Sequence, residues 1–344
     1  MKNRFVQHGF AAFLFLAFSA SSAFAQTTAK YAGEFLSLGA GARSLGMGGT
    51  HAALANDVTA VYWNPAGLAQ LNYPEITLMH AEQFAGIVQY NFGAFALPHG
   101  KDASLGIGLI RLAVDDIPFT RLPREDLDLG EPYVDDNGVT RINRPFVDRE
   151  FSNAEHALFL SYARSKSTYF SYGGSVKIVH KGFDDTSAWG IGFDLGAQFR
   201  LKNGLRFGAN LQDATTTILA WNTGRKELIV PTLKIGVALP LSVDLLNGTL
   251  LPAVDADIRF EGREQAAQIS GGPASLDMHA GFEYLYKDAL ALRAGTDTGN
   301  FSAGAGIRLP KLEVDYAFMR HSELKNTHRV SLKLSLQENK FRRK

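Results

Sequence analysis

Nine histidines, a run of glycines near the N-terminus and one acidic segment are where this sequence of 344 residues could carry chemistry. The histidines form neither H-E-x-x-H nor a close pair, so they offer no zinc-site spacing. The glycines at 39, 41, 46, 48 and 49 lack G-x-G-x-x-G spacing, a preceding buried strand and a lysine at the Walker position, which argues against a phosphate cradle. Cysteine is absent, which removes disulfides, thiolate metal sites and thiol nucleophiles together. Serine, histidine and acidic residues are abundant, yet no nucleophile motif brings them together. Residues 114–152 hold ten acidic residues, among them Asp115, Asp116, Asp126, Asp128, Asp135 and Asp136, against five arginines. Calcium takes carboxylate oxygens, but EF-hand spacing is missing and Asp136, Asn137 and Gly138 read as the turn of a small hairpin. The expectation is therefore no enzyme, no catalytic residue, no metal and no cofactor. The acidic segment is expected to be a solvated loop that meets protein partners.

The remaining chemistry lies in charges spaced two residues apart along apolar strands. Val330, Leu332, Leu334 and Leu336 alternate with Arg329, Ser331, Lys333 and Ser335, a period of two without an error. Leu312, Val314, Tyr316 and Phe318 alternate with Glu313, Asp315 and Ala317. Ile191, Phe193, Leu195 and Phe199 face away from Asp194, Gln198 and Arg200, and Val254, Ile258 and Phe260 face away from Asp255, Asp257 and Arg259. One face is apolar throughout and the other carries charge.

Fourteen such strands can be read, near 75–83, 86–97, 103–113, 153–164, 168–181, 188–200, 204–212, 229–240, 250–261, 276–286, 289–298, 300–309, 311–320 and 326–336. Most are longer than the roughly 5–6 residues usual in globular sheets and match the roughly 9–11 of a tilted membrane strand. Alternate connections are short, whereas long ones fall near 114–152, 213–228 and 262–275, the asymmetry of bacterial outer-membrane barrels. The fold class expected is all-β: a 14-stranded antiparallel transmembrane β-barrel. An open edge in hydrocarbon would leave backbone groups unpaired, so the barrel must close. Lys177, Asp194, Arg200, Asp255, Asp257, Arg259, Glu283, Arg293, Glu313 and Asp315 are then the expected lumen-facing charges.

The ends differ from the middle. Lys2 and Arg4, the apolar run from Phe10 to Phe18 and the small residues through Ala25 have the layout of a signal peptide over 1–25. Residues 26–74 are glycine- and alanine-rich and are read as a small helical hatch, with the barrel over 75–336 and a basic periplasmic tail over 337–344. In the hatch, Asn56 or Asp57 can cap a short helix running from Val58 toward Trp63, Asn64 before Pro65 stops it, and Gly67 permits the following turn. A net charge of +1 gives no electrostatic case for nucleic acid.

The run LGAGARSLGMGGTHAALANDVTAVYWNPAGLA resembles the N-terminal signature of the PorV/PorQ family of outer-membrane proteins, itself similar to the FadL family of hydrophobic-compound transporters. DYAF at Asp315 to Phe318 and THRVSLKL at Thr327 to Leu334 look like that family's last hairpin. The resemblance implies a fourteen-stranded barrel with an N-terminal hatch, whose Asn-Pro-Ala-Gly turn matches Asn64, Pro65, Ala66 and Gly67, flanked by Asp57 and Trp63. It also implies a non-enzymatic accessory of type IX secretion that binds secreted cargo or secretion-system proteins through its outer loops. The alternative is a FadL-like channel for fatty acids or other hydrophobic small molecules. Outer-membrane lipid and the barrel assembly machinery are the further partners either reading brings.

Overall fold

The computed structural model describes residues 32–83, 86–320 and 326–343. The segment read as a signal peptide lies outside the described residues, as does the start of the segment read as a hatch. Fourteen antiparallel strands close into a barrel. In chain order they are β1 (Glu75–Gln83), β2 (Val88–His99), β3 (Ala103–Arg121), β4 (Phe146–Ser167), β5 (Phe170–Phe183) and β6 (Thr186–Arg200). Then come β7 in two pieces (Arg206–Gln212 and Thr217–Trp221) and β8 in two pieces (Lys226–Ile229 and Thr232–Ala238). The circuit ends with β9 (Gly248–Arg259), β10 (Ala274–Tyr286), β11 (Leu290–Asp297), β12 (Asn300–Arg308), β13 (Leu312–Met319) and β14 (Thr327–Ser335). Each pairs with its neighbour in the chain. β1 returns to β14, with Glu75 opposite Ser335 and Glu82 opposite His328, which removes the sheet edge.

Two expectations need correction. The segment 213–228 is not a loop, because β7 and β8 continue beyond a break and only 222–225 turns between them. The break has a backbone cause: Asp213 and Thr216 hold φ values of 51° and 58°, and Pro231 has no N–H to give the ladder. The segment 114–152 is loop only in its middle, with strand at both ends. β3 and β4 run on past a bulge between Val114 and Ile117, where Asp116 has φ 56°, leaving 122–145 as the loop. That loop carries a two-stranded hairpin, Pro132–Val134 with Thr140–Ile142, turning through Asp135 to Gly138. The long connections 122–145 and 260–273 share one rim, although 184–185 and 298–299 on that rim are tight turns.

The alternation has the physical outcome that the strands demand. Leu78, Leu105, Ile107, Ile191, Leu195, Leu292, Ile307 and Val330 stand exposed on the outside, with Leu78 60% and Ile191 59% accessible. A continuous apolar surface of this kind is not tolerated in water. Inward positions of the same strands hold the buried polar and charged residues and glycines. Among the described residues no helix is long and apolar enough to cross a membrane, so strands alone would do so.

Residues 32–74 fold inside the barrel as short pieces: a 3-10 turn (Glu34–Leu36), helix α1 (Ala42–Gly46), helix α2 (Ala60–Trp63) and a second 3-10 turn (Pro65–Gln70). Asp57 Oδ1 accepts the Thr59 backbone N–H at 2.9 Å, ahead of α2. Asn64 is extended at φ −168°, which stops α2, and its side chain accepts from Ala66 N at 3.2 Å to start the next turn. Gly67 is needed for close approach rather than for turn conformation, since a Cβ there would lie 2.0 Å from the Ala55 carbonyl oxygen.

Candidate functional site

The hatch sits directly on the barrel wall because the wall is bare where they meet. A Cβ at Gly208 would lie 2.0 Å from the Ala52 carbonyl oxygen, one at Gly281 2.2 Å from that of Met47, and one at Gly295 2.4 Å from the Met47 carbonyl carbon. Gly173 meets the backbone of Pro65 and Ala66, and Gly196 meets the side chain of Asn64. These glycines occupy inward positions on β5, β6, β7, β10 and β11, so the belt of contact runs round much of the circumference.

Backbone brought that close must have its polar groups satisfied by the wall. Asp255 accepts the His51 and Ala52 backbone N–H groups, both at 2.7 Å. Asn64 donates to the carbonyls of Ala52 at 2.9 Å, Ala197 at 3.2 Å and Ala209 at 3.3 Å. Gln198 donates to Ala55 O at 2.8 Å, and Asn210 to Trp63 O at 3.0 Å. Arg329 donates to Gly39 O and Leu38 O, each at 2.9 Å, and the Ser331 hydroxyl accepts the Ala42 N–H at 2.7 Å.

One charged network joins hatch to wall. Arg43 on α1 donates twice to Glu283, which also receives Arg293 at 2.7 Å and Arg308 at 3.2 Å. Arg293 continues to Asp315 at 2.6 Å, and Arg308 to Glu313 at 2.9 Å. Lys333 then bridges Glu313 and the hatch residue Asp57, both at 2.8 Å. Burial works against the charge on Asp57, but the Lys333 ammonium overcomes it and holds the carboxyl below the usual carboxylate range. His51 on the hatch is pushed down to about 3 by burial, with the Arg43 charge adding to the effect.

The other charges form two smaller groups. Lys177 reaches Asp194 at 3.2 Å and Asp213 at 2.8 Å, with Thr217 donating to Asp213 at 2.5 Å, all beside the break in β7. Asp257 takes Lys234 and lies 3.5 Å from His279, which meets Asp297 at 2.9 Å. Arg259 pairs with Glu34 at 2.8 Å. Arg200 joins none of these groups; it is exposed at the rim of short turns.

The interior is divided. The largest charged network lies on β10 to β14, whereas Met79, Tyr90, Phe92, Ile110, Phe159, Val179, Leu219 and Ile229, from β1 to β8, form an apolar cluster, with Lys177 and Lys181 of β5 at its margin, 5.9 Å and 5.6 Å from the Phe159 and Phe35 rings. Phe35 and Leu36 of the first 3-10 turn, with Val61, Tyr62 and Trp63 of α2, fill it from the hatch side. Trp63 meets Tyr62 edge-on at 4.9 Å, and Tyr62 meets Phe159 at 6.0 Å. Tyr62 donates to Leu36 O and Trp63 Nε1 to Ala40 O, so both rings carry their polar ends into the hatch.

Of the residues picked from sequence, Asp57, Glu283, Arg293, Glu313 and Asp315 meet in one network, Asn64, Pro65 and Asp255 lie at the hatch contact, and Lys177 and Asp194 form a separate pair. Sequence reasoning did not pick Arg43, Arg308, Lys333, Asp213, Lys234 or the inward glycines. Lys333 and Arg329 stand in the polar phase of the clearest alternating stretch, so phase alone could have found them. Arg43 has no such signal, being one cation in a segment without periodicity.

A closed fourteen-stranded antiparallel barrel with its N-terminal segment packed inside is the fold that solved barrel structures share with this chain. Residues 14–101 match an uncharacterised protein family, UPF0164, and no curated protein matches the sequence. Among solved structures, the chain is similar to the Ralstonia pickettii toluene transporter TbuX, with a TM-score of 0.57 and 15% identity over 86% of this chain and 98% of that one. The monoaromatic hydrocarbon channel CymD is similar with a TM-score of 0.56 and 15% identity, over 87% and 98%. A FadL homologue of Pseudomonas aeruginosa follows at 0.54 and 12%, over 86% and 98%. At these identities the likeness is one of fold. None of these comparisons points to the PorV/PorQ family or to type IX secretion.

Proposed function

We propose that this chain is an outer-membrane barrel that passes hydrophobic small molecules, binding them in the apolar half of the lumen against the hatch. The observation that carries the reading is the division of the interior. A water-filled pore is polar inside, whereas a site for an apolar ligand is apolar with a few placed polar groups. The lumenal charges are spent on the hatch and on one another: those of β10 to β14 join the Arg43–Glu283 network, and at the margin of the apolar cluster Lys177 is held by Asp194 and Asp213 and Arg329 by the Gly39 and Leu38 carbonyls. The chain's own Phe35 and Leu36 fill that half in the described state, and a ligand exchanges places with them.

The solved barrels of similar fold whose titles name toluene and monoaromatic hydrocarbons support this substrate class. The exposed apolar outer face supports a bilayer location, and the signal peptide read over 1–25 supplies the export that location needs. The secretion-accessory role rests on the sequence resemblance alone, and the lumenal charges have a structural use here.

Titrating the purified protein with toluene or a medium-chain fatty acid while reading tryptophan fluorescence tests the proposal, since Trp63 and Trp221 border the apolar cluster. A saturable change is expected. No saturable change, in the parent or in a Phe35→Ala/Leu36→Ala variant that vacates the site, would overturn it.

A further inference from the structure

We propose that the rim of short turns binds one phospholipid of the surrounding leaflet, with its acyl chain in an outer wall groove and its anionic head group on Arg342. The groove is the first observation. On the outer face, Phe95, Leu97, Leu105, Ile107, Tyr162 and Leu195 border a furrow of about 590 Å³. Its floor is low because Gly174 faces outward with no side chain: a Cβ there would meet only the Asp194 carbonyl at 3.3 Å and Leu195 at 3.5 Å. The volume falls within the roughly 300–1,000 Å³ of small-molecule sites, and the lining is almost wholly apolar.

The second observation is independent of the first and comes from the C-terminal tail. Beyond β14 the chain folds back along the rim: Leu336 N–H donates to Pro74 O and Arg343 N–H to Asn72 O, both hydrogen bonds near the start of β1. The Arg343 side chain fixes the tail by donating to Leu71 O at 2.7 Å, Ala103 O at 3.0 Å and the Ser104 hydroxyl at 2.7 Å. A second hollow, of about 580 Å³, opens between this tail and the wall, lined by Pro74, Phe95, Leu97, Lys340, Phe341 and Arg342. Phe95 and Leu97 border both hollows, so the apolar furrow and the basic hollow adjoin at these two side chains.

The charges sort themselves. Lys340 is partnered by Glu338 at 3.0 Å and lies over the Phe341 ring at 4.6 Å. The Arg342 side chain is exposed and has no hydrogen bond or ion pair among the described residues, whereas its tail neighbours Lys340 and Arg343 are both engaged. A guanidinium presents a planar fork that matches two phosphate oxygens. Placed where an apolar furrow ends at a rim, with an aromatic ring beside it, it has the chemistry of a lipid head-group site rather than of a soluble anion site.

This inference rests on the proposed bilayer location and not on the lumenal ligand. The full-length protein is to be reconstituted in vesicles of mixed phosphatidylcholine and phosphatidylglycerol and extracted in mild detergent. Co-purifying lipid is then counted by native mass spectrometry. The parent is expected to retain one phospholipid with phosphatidylglycerol enriched severalfold over its share in the vesicle. Arg342→Ala is expected to lose that enrichment, and Val176→Phe, at a residue that also lines the furrow, to narrow it and lose lipid of either kind, both with unchanged heat-modifiable migration and unchanged toluene-dependent fluorescence. Retention without head-group preference in the parent, or full enrichment in Arg342→Ala, overturns the proposal. Failure of the parent to enter vesicles overturns it together with the bilayer location, whereas insertion without lipid selectivity overturns this inference alone.

Discussion

The Arg43 guanidinium of the hatch donates two hydrogen bonds, each 2.9 Å, to the Glu283 carboxylate of the barrel wall. Glu283 is 2% and Arg43 14% accessible, so neither charge has water to fall back on. Removing one partner of a buried pair costs about 3–5 kcal/mol when the other is left uncompensated; Glu283 keeps Arg293 and Arg308, so the loss of Arg43 should cost less than that. Arg43→Ala should therefore loosen the hatch while the barrel persists, because strand pairing does not depend on this contact. Limited proteolysis reads it: cleavage within residues 32–74 should rise severalfold or more with heat-modifiable migration intact. Equal protection in parent and variant would show that the pair does not hold the hatch.

The inward glycines make a sharper prediction, because the change is one methyl group. Gly208→Ala places a carbon 2.0 Å from the Ala52 carbonyl oxygen, and neither the strand that bears it nor the hatch backbone it meets can swing aside as a flexible side chain would. Gly271→Ala, with nothing within 4 Å, is the matched control. The first should expose the hatch to protease and raise single-channel conductance in planar bilayers, and the second should do neither. A silent Gly208→Ala would mean that the hatch rides further from the wall than its contacts imply.

Asn64 is wholly buried, and its amide satisfies hatch and wall together by reaching Ala52, Ala197 and Ala209. Asn64→Ala removes those donors at about 1–3 kcal/mol for the carbonyls left unpaired. Gln198 also reaches Ala52 O, at 3.2 Å, so the loss should be smaller than for Arg43→Ala. Hydrogen exchange at the α2 amides measures both variants on one scale, and a larger effect at Asn64 would contradict this ranking.

How far the sequence could be read follows from which signals are periodic. Alternation along β13 and β14 reports the barrel wall directly, because a strand with lipid on one side and protein on the other must alternate. It fails at 213–216, where Asp213 and Thr216 hold positive φ and the chain leaves the ladder for four residues before it resumes, so the outer pieces of β7 and β8 look like loop. Phase also tells which charges point inward but not what they meet. Asp255 and Asp315 stand in equivalent phase, yet one receives hatch amides and the other Arg293. That difference is set by how the hatch lies across the barrel, and the hatch has no period from which to read it. The glycines were legible as composition and not as a seat, since only the partner backbone shows why a side chain is excluded.

Acid should loosen the hatch through His51. The ring is buried, lies 5.6 Å from Trp63, and has an Nδ1 with no hydrogen-bond partner among the described residues. Its folded pKa is pushed down to about 3 from 6.5, by burial first and the Arg43 charge second, so the hatch accepts only the neutral ring. Between these values the undocked state binds more protons than the docked one. Docking is then fully supported above about pH 6.5 and weakens steadily as pH falls toward about 3. Asp57, whose carboxyl is held below its ordinary value of 3.8, loses its contribution only under more acid conditions, which leaves a window above about pH 4 where His51 acts alone of the two. Protease protection of residues 32–74 should fall across that window in the parent, and the slope should flatten in His51→Phe, which keeps an aromatic ring and discards the titrating group. An identical slope in both proteins would assign the acid response to another group.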